Sequence, residues 1–278
     1  MMRRGTTLAW AAAVCTYLLI VLGAVVRITG SGLGCGDHWP LCNGHLFPSL
    51  ADISTVIEWS HRLVAALVSV LVIALAVADR PSNGSTVLRA SMVAVALLVL
   101  QVLLGAITVK LELPAWSIVL HLGTAMLLLA TLLFAATGGS PAWREPSLPI
   151  AALAFVTVLF GALTANMGAA AACGGFPLCN GHVWVTAGPL ALIQWIHRLL
   201  AYTLAITVLV WAVRTPRRGP KIVLGVVGLQ IVIGAATVLL GLPGVLQAAH
   251  VAVGAAVWAG VTLACSEPRH VIQSFGPQ

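Results

Sequence analysis

The sequence predicts an all-α, polytopic membrane protein with eight transmembrane helices, arranged as two parallel-repeat four-helix bundles. Hydrophobic residues make up 60% of the 278 residues, charged residues only 8%, and the mean hydropathy is +1.05. An ordinary soluble domain carries about 25% charged residues, so a soluble globular protein is excluded. Eight long apolar runs and a duplicated set of motifs give the number and grouping of the helices.

The apolar runs define the helices in order, because about 20 apolar residues span the hydrocarbon core of a bilayer. They cover residues 8–27, 56–78, 88–109, 116–136, 148–167, 191–213, 221–240 and 245–265. The first run follows Met1–Arg4 as in a signal peptide, but it is long enough to span, so we expect a retained helix. The segments 28–55 and 168–190 become two long loops, and short turns lie at Pro114 and Pro243.

The basic residues predict the orientation in the membrane. The chain has 14 Lys and Arg against seven Asp and Glu, a formal charge of +7 that would raise nucleic acid as a partner for a soluble protein. Most of them fall at the start, in alternate loops and in the tail: Arg3, Arg4, Arg80, Arg89, Arg144, Arg214, Arg217, Arg218, Lys221 and Arg269. This pattern predicts a multi-pass cell-membrane protein embedded in the lipid bilayer, with cytoplasmic termini and external cysteine loops, and no nucleic-acid partner.

An internal repeat divides the chain into residues 1–140 and 141–278. Three segments recur: Pro40–His45 as Pro177–His182, Trp59–Leu63 as Trp195–Leu199, and Gln101–Val109 as Gln230–Val238. The first pair is identical at six consecutive positions. Each half has an even number of spans, so both halves keep the same orientation and the repeat is expected to be parallel.

Four histidines in the even-numbered apolar runs are candidate ligands: His61, His121, His197 and His250. Ionisable side chains inside a membrane are costly and usually face a functional cavity. Each histidine lies five or six residues inside the outer end of its run, roughly 8 Å deep at 1.5 Å per residue. Two per half at one level suit axial ligation of a flat haem from opposite faces. The alternative is hydrogen bonding between helices, and a dinuclear metal site would more naturally add carboxylates.

The two halves differ in charge beside these histidines. Glu58 precedes His61 by three residues and shares its helix face, whereas the second half has Gln194 at the equivalent position. Arg27 corresponds to Ala165. We infer one reactive site, in the first half, and one electron-transfer site. The alternative is that Glu58 only pairs with a nearby arginine.

Two arginines directly follow a histidine, and a third lies at the end of the first run. Arg62 and Arg198, together with Arg27, are candidate contacts for haem propionates, because a guanidinium fork matches a carboxylate. For Arg62 and Arg198 the alternative is snorkelling to lipid headgroups. The small residues at matching places, Gly105, Thr108, Gly234 and Thr237, are interpreted as helix-packing contacts.

Each long external loop carries two cysteines, Cys35 with Cys42 and Cys173 with Cys179. In an oxidising compartment these predict two disulfides within the loops. A redox-active thiol couple is the alternative, and a metal site that includes His38 and His45 is less favoured, because the spacing does not match the usual zinc pattern. Cys15 and Cys265 lie within apolar runs and are interpreted as packing residues. The glycine-rich segment 30–34 is read as a tight turn rather than a phosphate loop.

The motifs together resemble those of bacterial haem A synthases. The resemblance rests on Val26–Cys35, Asp37–Cys42 and Glu58–Arg62 with their partial duplicate, and it covers all eight runs. It implies an oxidoreductase that converts the C8 methyl of haem O to the formyl group of haem A by two hydroxylations and a dehydration. The product would serve haem-copper terminal oxidases, and haem O synthase is a candidate partner for substrate handover.

The resemblance also implies roles for individual residues. His61 and His121 would hold the substrate haem O, and Glu58 would take part in catalysis. Our own hypothesis for Glu58 is that it assists proton loss and stabilises positive charge. His197 and His250 would bind a resident haem b. A disulfide at Cys173 and Cys179 and an electron relay through Cys35 and Cys42 are implied as well.

Three other functions are compatible with some of the same residues. A membrane cytochrome that only transfers electrons would keep haem b in both halves. A thiol-disulfide oxidoreductase would act through the two cysteine pairs without haem. A parallel-repeat transporter would need a polar path near the midplane, whereas the polar residues here crowd the outer third of the runs.

Overall fold

A computed structural model describes residues 4–79, 86–138, 147–185 and 188–266. These residues form eight long helices, each apolar and long enough to cross a membrane, which confirms the predicted all-α membrane fold. The helices are α1 (Arg4–Ile28), α2 (Ile53–Asp79), α3 (Thr86–Lys110), α4 (Ala115–Ala136), α5 (Ser147–Asn166), α6 (Pro189–Arg214), α7 (Arg218–Leu239) and α8 (Gly244–Ser266). Two one-turn 3₁₀ helices, Ser31–Leu33 and Ala169–Ala171, open the two cysteine loops.

Helix α2 begins three residues before the predicted apolar run. The cause is an N-terminal cap, because the Asp52 carboxylate accepts hydrogen bonds from the Thr55 backbone N–H at 2.7 Å and from its hydroxyl at 2.8 Å. The backbone hydrogen bond from Thr55 is the largest cause that lowers the pKa of Asp52. Polar residues that cap a helix are invisible to a search for apolar runs, so the predicted boundary fell too far inside.

Helix contacts follow the same pattern in both halves. Helix α1 packs against α2, α4 and α8, and α5 packs against α6, α8 and α4, so exchanging the halves preserves the contacts. The seam between the halves runs along α4 and α8, where Trp258 Nε1 donates to the carbonyl oxygen of Met126 at 2.7 Å and its ring packs on Phe155. These contacts support the two-repeat arrangement, which stays a prediction.

The connections between helices place the loops on two sides. The cysteine loops and the turns α3–α4 and α7–α8 lie at one side of the bundle, and the basic residues near the start of α3, the end of α6 and the start of α7 lie at the other. These are Arg89, Arg214, Arg217, Arg218 and Lys221. Arg3, Arg80, Arg144, Arg269 and the predicted boundary at residues 140 and 141 fall outside the described residues, as does the side chain of Arg4.

Candidate functional site

One cavity of about 900 Å³ lies between the helices and takes lining residues from both halves of the chain. Its wall is mainly apolar. The charged, imidazole and amide side chains that reach it are Arg27, Glu58, His61, Arg62, Gln101, His121, Asn166, Gln194, His197, Arg198, Gln230, Gln247 and His250. The structure therefore brings the four predicted histidines to one cavity, and Glu58 is the single carboxylate among its lining residues.

Two of the histidines lie deeper along their helices than the sequence indicated. His61 and His197 are the ninth residues of α2 and α6, whereas His121 and His250 are the seventh residues of α4 and α8. At 1.5 Å per residue these positions are roughly 12 Å and roughly 9 Å from the helix starts. The predicted depth of five or six residues holds for His121 and His250, which lie six residues after their helix starts. It is wrong for His61 and His197, which lie eight residues in, because α2 and α6 begin earlier than their apolar runs.

Each imidazole keeps a ring nitrogen that no described residue satisfies. The Nδ1 atoms of His61, His121 and His250 are buried without a hydrogen-bond partner. His197 Nδ1 lies 3.2 Å from the Thr157 carbonyl oxygen, to which it donates as N–H, so its Nε2 is left as the acceptor. A backbone carbonyl on one ring nitrogen is the usual support for a histidine that binds a metal through the other.

A glycine of the preceding helix lies against every one of these rings. The pairs are Gly23–His61, Gly105–His121, Gly161–His197 and Gly234–His250. A Cβ atom on either second-half glycine would lie 2.9 Å from the Cε1 atom of its histidine, and on the first-half glycines it would lie 3.3 and 3.2 Å away. Carbon atoms in contact normally stay about 3.5–4.0 Å apart. The glycines therefore seat the rings, a function beyond the helix packing predicted for two of them.

Two glutamines that the sequence showed only as part of the repeat contact histidines. Gln101 Nε2 lies 3.1 Å from His121 Nε2, and Gln230 Nε2 lies 3.3 Å from His250 Nε2. Gln230 also donates to the His250 carbonyl oxygen at 3.0 Å, which fixes the orientation of its amide. The duplication of these glutamines at one spacing from the histidines was the signal that could have identified them.

Glu58 and Gln194 occupy equivalent positions and bind equivalent atoms. Glu58 Oε2 accepts the Cys35 backbone N–H at 2.7 Å, and Gln194 Oε1 accepts the Cys173 backbone N–H at 2.6 Å. Both side chains are about 4% exposed. Glu58 Oε1 also pairs with Arg62, as the alternative reading of the sequence expected. Because the shared hydrogen bond needs only an acceptor oxygen, the negative charge of Glu58 is not required to hold the loop.

Arg62 and Arg198 clamp the cysteine loops. Arg62 Nη1 donates to the Leu41 carbonyl oxygen at 2.6 Å, and Arg198 Nη1 donates to the Leu178 carbonyl oxygen at 2.7 Å. Arg198 is only 7% exposed and the Arg62 side chain only 15%, so the snorkelling alternative is wrong for both. Their donors serve backbone carbonyls, and their contact with propionates stays a prediction.

Arg27 differs from the other two arginines because its one hydrogen-bond partner among the described residues is neutral. Its Nη2 donates at 3.1 Å to Oε1 of Gln247, which lies on α8 in the other half of the chain. Both residues line the cavity. A guanidinium at a cavity wall, with no carboxylate among its described contacts, is suited to an anionic group of a ligand.

Both pairs of loop cysteines form disulfides. Cys35 bonds to Cys42 and Cys173 bonds to Cys179, and all four residues are at most 2% exposed. In each loop the backbone pairs the second cysteine with the histidine three residues later. The predicted pairing is therefore present, and no group of metal-ligating side chains is found among the described residues, so the metal alternative at His38 and His45 has no support.

Several known proteins are similar in sequence to this chain over most of its length. The chain is 34% identical to the haem A synthase of Shouchella clausii over 72% of this chain and 73% of that protein. It is 33% identical to the haem A synthase of Geobacillus kaustophilus over 79% and 76%, and 31% identical to that of Exiguobacterium sibiricum over 81% and 82%. The profile of the cytochrome oxidase assembly protein family matches residues 6–262.

The chain belongs to the haem A synthase family. Its relatives are matched across most of their own length, so the family assignment covers both halves of the fold rather than one repeat. Within this haem A synthase family member, the cavity with its four histidines is the candidate site.

Proposed function

We propose that this protein oxidises the C8 methyl group of haem O to a formyl group, by two hydroxylations and a dehydration, and so produces haem A. The observation that carries the proposal is a cavity that all four predicted histidines line. The relatives named haem A synthase support the same reaction.

The lining residues fit a haem in the second half. The His197 and His250 ring centroids are 6.5 Å apart. Both rings line the cavity, and imidazole is a usual ligand of haem iron, so these two residues would hold a haem there. The seats provided by Gly161 and Gly234 leave no space for a methyl group, which keeps both rings close to this spacing. We propose that these two histidines hold a resident haem b, which supplies a one-electron redox centre when bound.

The first half is proposed to hold the substrate, haem O, between His61 and His121. Both rings keep a buried Nδ1 atom without a partner and line the same cavity as the second-half pair. A Cβ atom on Gly23 or Gly105 would lie farther from its histidine ring than one on Gly161 or Gly234, so the rings of the first half are less closely held. The assignment of substrate to this half depends on Glu58, which only this half contains.

Glu58 is proposed to act as the base. Oxidation of a methyl group releases protons and builds positive charge. A carboxylate in a water-poor site can accept a proton and can stabilise that positive charge. Arg62 orients this carboxylate through one oxygen, and the Cys35 backbone N–H fixes its other oxygen. Gln194, with the same backbone contact and no charge, can position its loop but cannot accept a proton.

Arg27 is the arginine we propose for a haem propionate, because it reaches the cavity from α1 and its hydrogen-bond partner among the described residues is the neutral Gln247. Arg62 and Arg198 are also proposed to contact propionates, while they keep their hydrogen bonds to the loop carbonyl oxygens. The Cys35–Cys42 disulfide is proposed to hold Glu58 in place. An electron relay through it would require that Cys35→Ser abolish turnover while leaving the fold intact.

The orientation in the membrane is part of the proposal. Basic residues near the start of α3, the end of α6 and the start of α7 favour the cytoplasm for that side, and both disulfides lie at the opposite side, where an oxidising compartment preserves them. Haem O synthase is the proposed source of the substrate, and terminal oxidases are the proposed users of the product.

The test is to purify the full chain from membranes that also contain haem O synthase and to identify the extracted haems by chromatography and mass. Haem b together with haem O, the hydroxymethyl intermediate or haem A supports the proposal. Haem b alone would indicate an electron-transfer cytochrome. The absence of any haem would refute the four-histidine site and favour thiol chemistry or transport.

The role of Glu58 has a matched control in the same chain. Glu58→Gln reproduces the side chain that the second half already tolerates, so it should keep the fold and the bound haems while haem A formation falls by at least about 100-fold. Gln194→Glu should leave the rate nearly unchanged. Haem A formation at the parent rate by Glu58→Gln would show that the proposed base is wrong.

A further inference from the structure

The two cysteine loops are held by matching arginines, but the second loop has an additional attachment. Tyr202 Oη donates to the Pro177 carbonyl oxygen at 2.6 Å. Its ring also meets Phe176 edge-on, with ring centroids 6.2 Å apart and planes at 70°. Both aromatic residues line the cavity. Tyr202 therefore ties the second loop to α6 at the edge of the cavity.

The first loop has no equivalent attachment at the cavity among the described residues. Its own aromatic attachment lies farther along the loop, where Trp59 Nε1 donates to the Leu46 carbonyl oxygen at 3.1 Å and the Trp59 ring meets Phe47 edge-on. None of these three residues lines the cavity. Ala66 follows Arg62 by four residues, as Tyr202 follows Arg198, and its methyl group can make neither contact. Trp39, which corresponds to Phe176, has no ring partner among the described residues. The carbonyl oxygen of the following proline receives only a 3.5 Å hydrogen bond, from Arg62. Trp39 and Ala66 also line the cavity, so the difference lies at the site itself.

Several other loop attachments are shared and do not distinguish the halves, and the ion pair between Asp37 and Lys110, found in the first loop, is exposed. Both loops carry a disulfide, an arginine clamp and a hydrogen bond from the first cysteine N–H to the residue at the Glu58 or Gln194 position. The tyrosine is thus an added restraint on a common scaffold. A typical hydrogen bond and an aromatic pair each change an equilibrium by roughly 2- to 13-fold, so their product is about 4- to 170-fold. The middle of that range, about 10- to 100-fold, is the expected disfavouring of opening of the second loop at the cavity edge.

We propose that Tyr202 makes the second-half site retain its ligand and that Ala66 leaves the first-half site open to exchange. The identity of the ligand, a flat apolar tetrapyrrole, rests on the proposed function. The inference agrees with the chemistry: a substrate must enter and a product must leave in every cycle, whereas a redox group that stays bound need not exchange. Tyr202 is thus a positioning residue that acts through the loop.

The first measurement is hydrogen exchange of the loop amides in the full-length, detergent-purified protein, which requires no bound haem. Residues 168–182 in the parent protein should exchange about 10- to 100-fold more slowly than residues 30–45. Tyr202→Phe, which keeps the ring and loses the hydroxyl, should accelerate the second loop several-fold, and Tyr202→Ala should bring it close to the first. Ala66→Tyr should slow the first loop. Unchanged exchange of the second loop in Tyr202→Ala would overturn the proposal.

The second measurement is the transfer of haem b from the loaded protein to apomyoglobin. The variants His61→Ala and His197→Ala leave one histidine pair each, and so they identify which half releases haem in each kinetic phase. Tyr202→Ala should accelerate release from the second half by about 10- to 100-fold and leave the first half unchanged. Equal release rates from the two halves of the parent protein would refute the inference even if haem binding, and with it the proposed function, is confirmed. If the parent protein binds no haem, the proposed function fails, and the exchange measurement still decides the loop difference.

Discussion

Replacing Gly161 with alanine should displace the imidazole of His197. The new Cβ atom would lie 2.9 Å from Cε1 and 3.5 Å from Nδ1 of the ring. Since contacting carbon atoms stay about 3.5–4.0 Å apart, the ring or the helix has to move by roughly 0.5–1 Å. The 3.2 Å hydrogen bond from His197 Nδ1 to the Thr157 carbonyl oxygen lies on the same side of the ring and would be strained.

The expected free-energy change follows from two opposing terms. Overpacking a close contact destabilises a protein by about 1–3 kcal/mol, and alanine in a helix interior is favoured over glycine by about 1 kcal/mol. Gly161→Ala should therefore lower the free energy of unfolding by up to about 2 kcal/mol. Gly228 provides the matched control, because it is also within a helix and a Cβ atom there would have nothing within 4 Å. Gly228→Ala should stabilise the protein by up to about 1 kcal/mol.

The assay combines thermal unfolding in detergent with the absorption spectrum of bound haem. Gly161→Ala should unfold at a lower temperature than Gly228→Ala, and its spectrum should show a weakened or lost bis-histidine signature in the second half. Gly234→Ala, with an equally short contact, should behave in the same way. If Gly161→Ala and Gly228→Ala have the same stability and the same spectrum, then the glycine does not set the position of the ring.

Three further predictions test the fold around the site. Asp52 stabilises α2 as a carboxylate, and its pKa in the folded protein is lowered from 3.8. The difference in unfolding free energy between the parent protein and Asp52→Ala should therefore be constant above about pH 5 and shrink as the pH falls through that lowered pKa. A difference that grows in acid would contradict the cap. Trp258→Phe should cost about 1 kcal/mol of unfolding free energy, because the bond to the Met126 carbonyl oxygen is lost, and chemical denaturation measures it. Cys173→Ser should cost about 2 kcal/mol, and a reductant should then destabilise this variant less than the parent.

The helices and the pairing of the sites could be predicted from the sequence because both leave periodic or duplicated patterns. Long apolar runs give the spans, and the recurrence of Pro40–His45 and Trp59–Leu63 places equivalent residues in two halves. The helix starts were less predictable, because the Asp52 carboxylate caps α2 through a local hydrogen bond rather than through hydrophobicity.

Contacts between helices and loops could not be predicted from residue types. An arginine after a membrane histidine is equally compatible with a ligand carboxylate, a lipid headgroup or a loop carbonyl. The structure shows the third partner, at Leu41 for Arg62 and at Leu178 for Arg198. The glycine seats were missed for a related reason, because a glycine in a membrane helix usually indicates only close helix packing.

The differences between the halves bear on function more directly than the shared scaffold does. Glu58 lies in the half that has Ala66, and Gln194 lies in the half that has Tyr202. A buried charge in a membrane is costly, so a carboxylate persists where its chemistry is needed. The half with the carboxylate also lacks the tyrosine that would restrain its loop. The proposed reactivity and the proposed ligand exchange thus fall in the same half, and the neutral amide and the more restrained loop fall in the other, as expected if only the first half turns over a substrate.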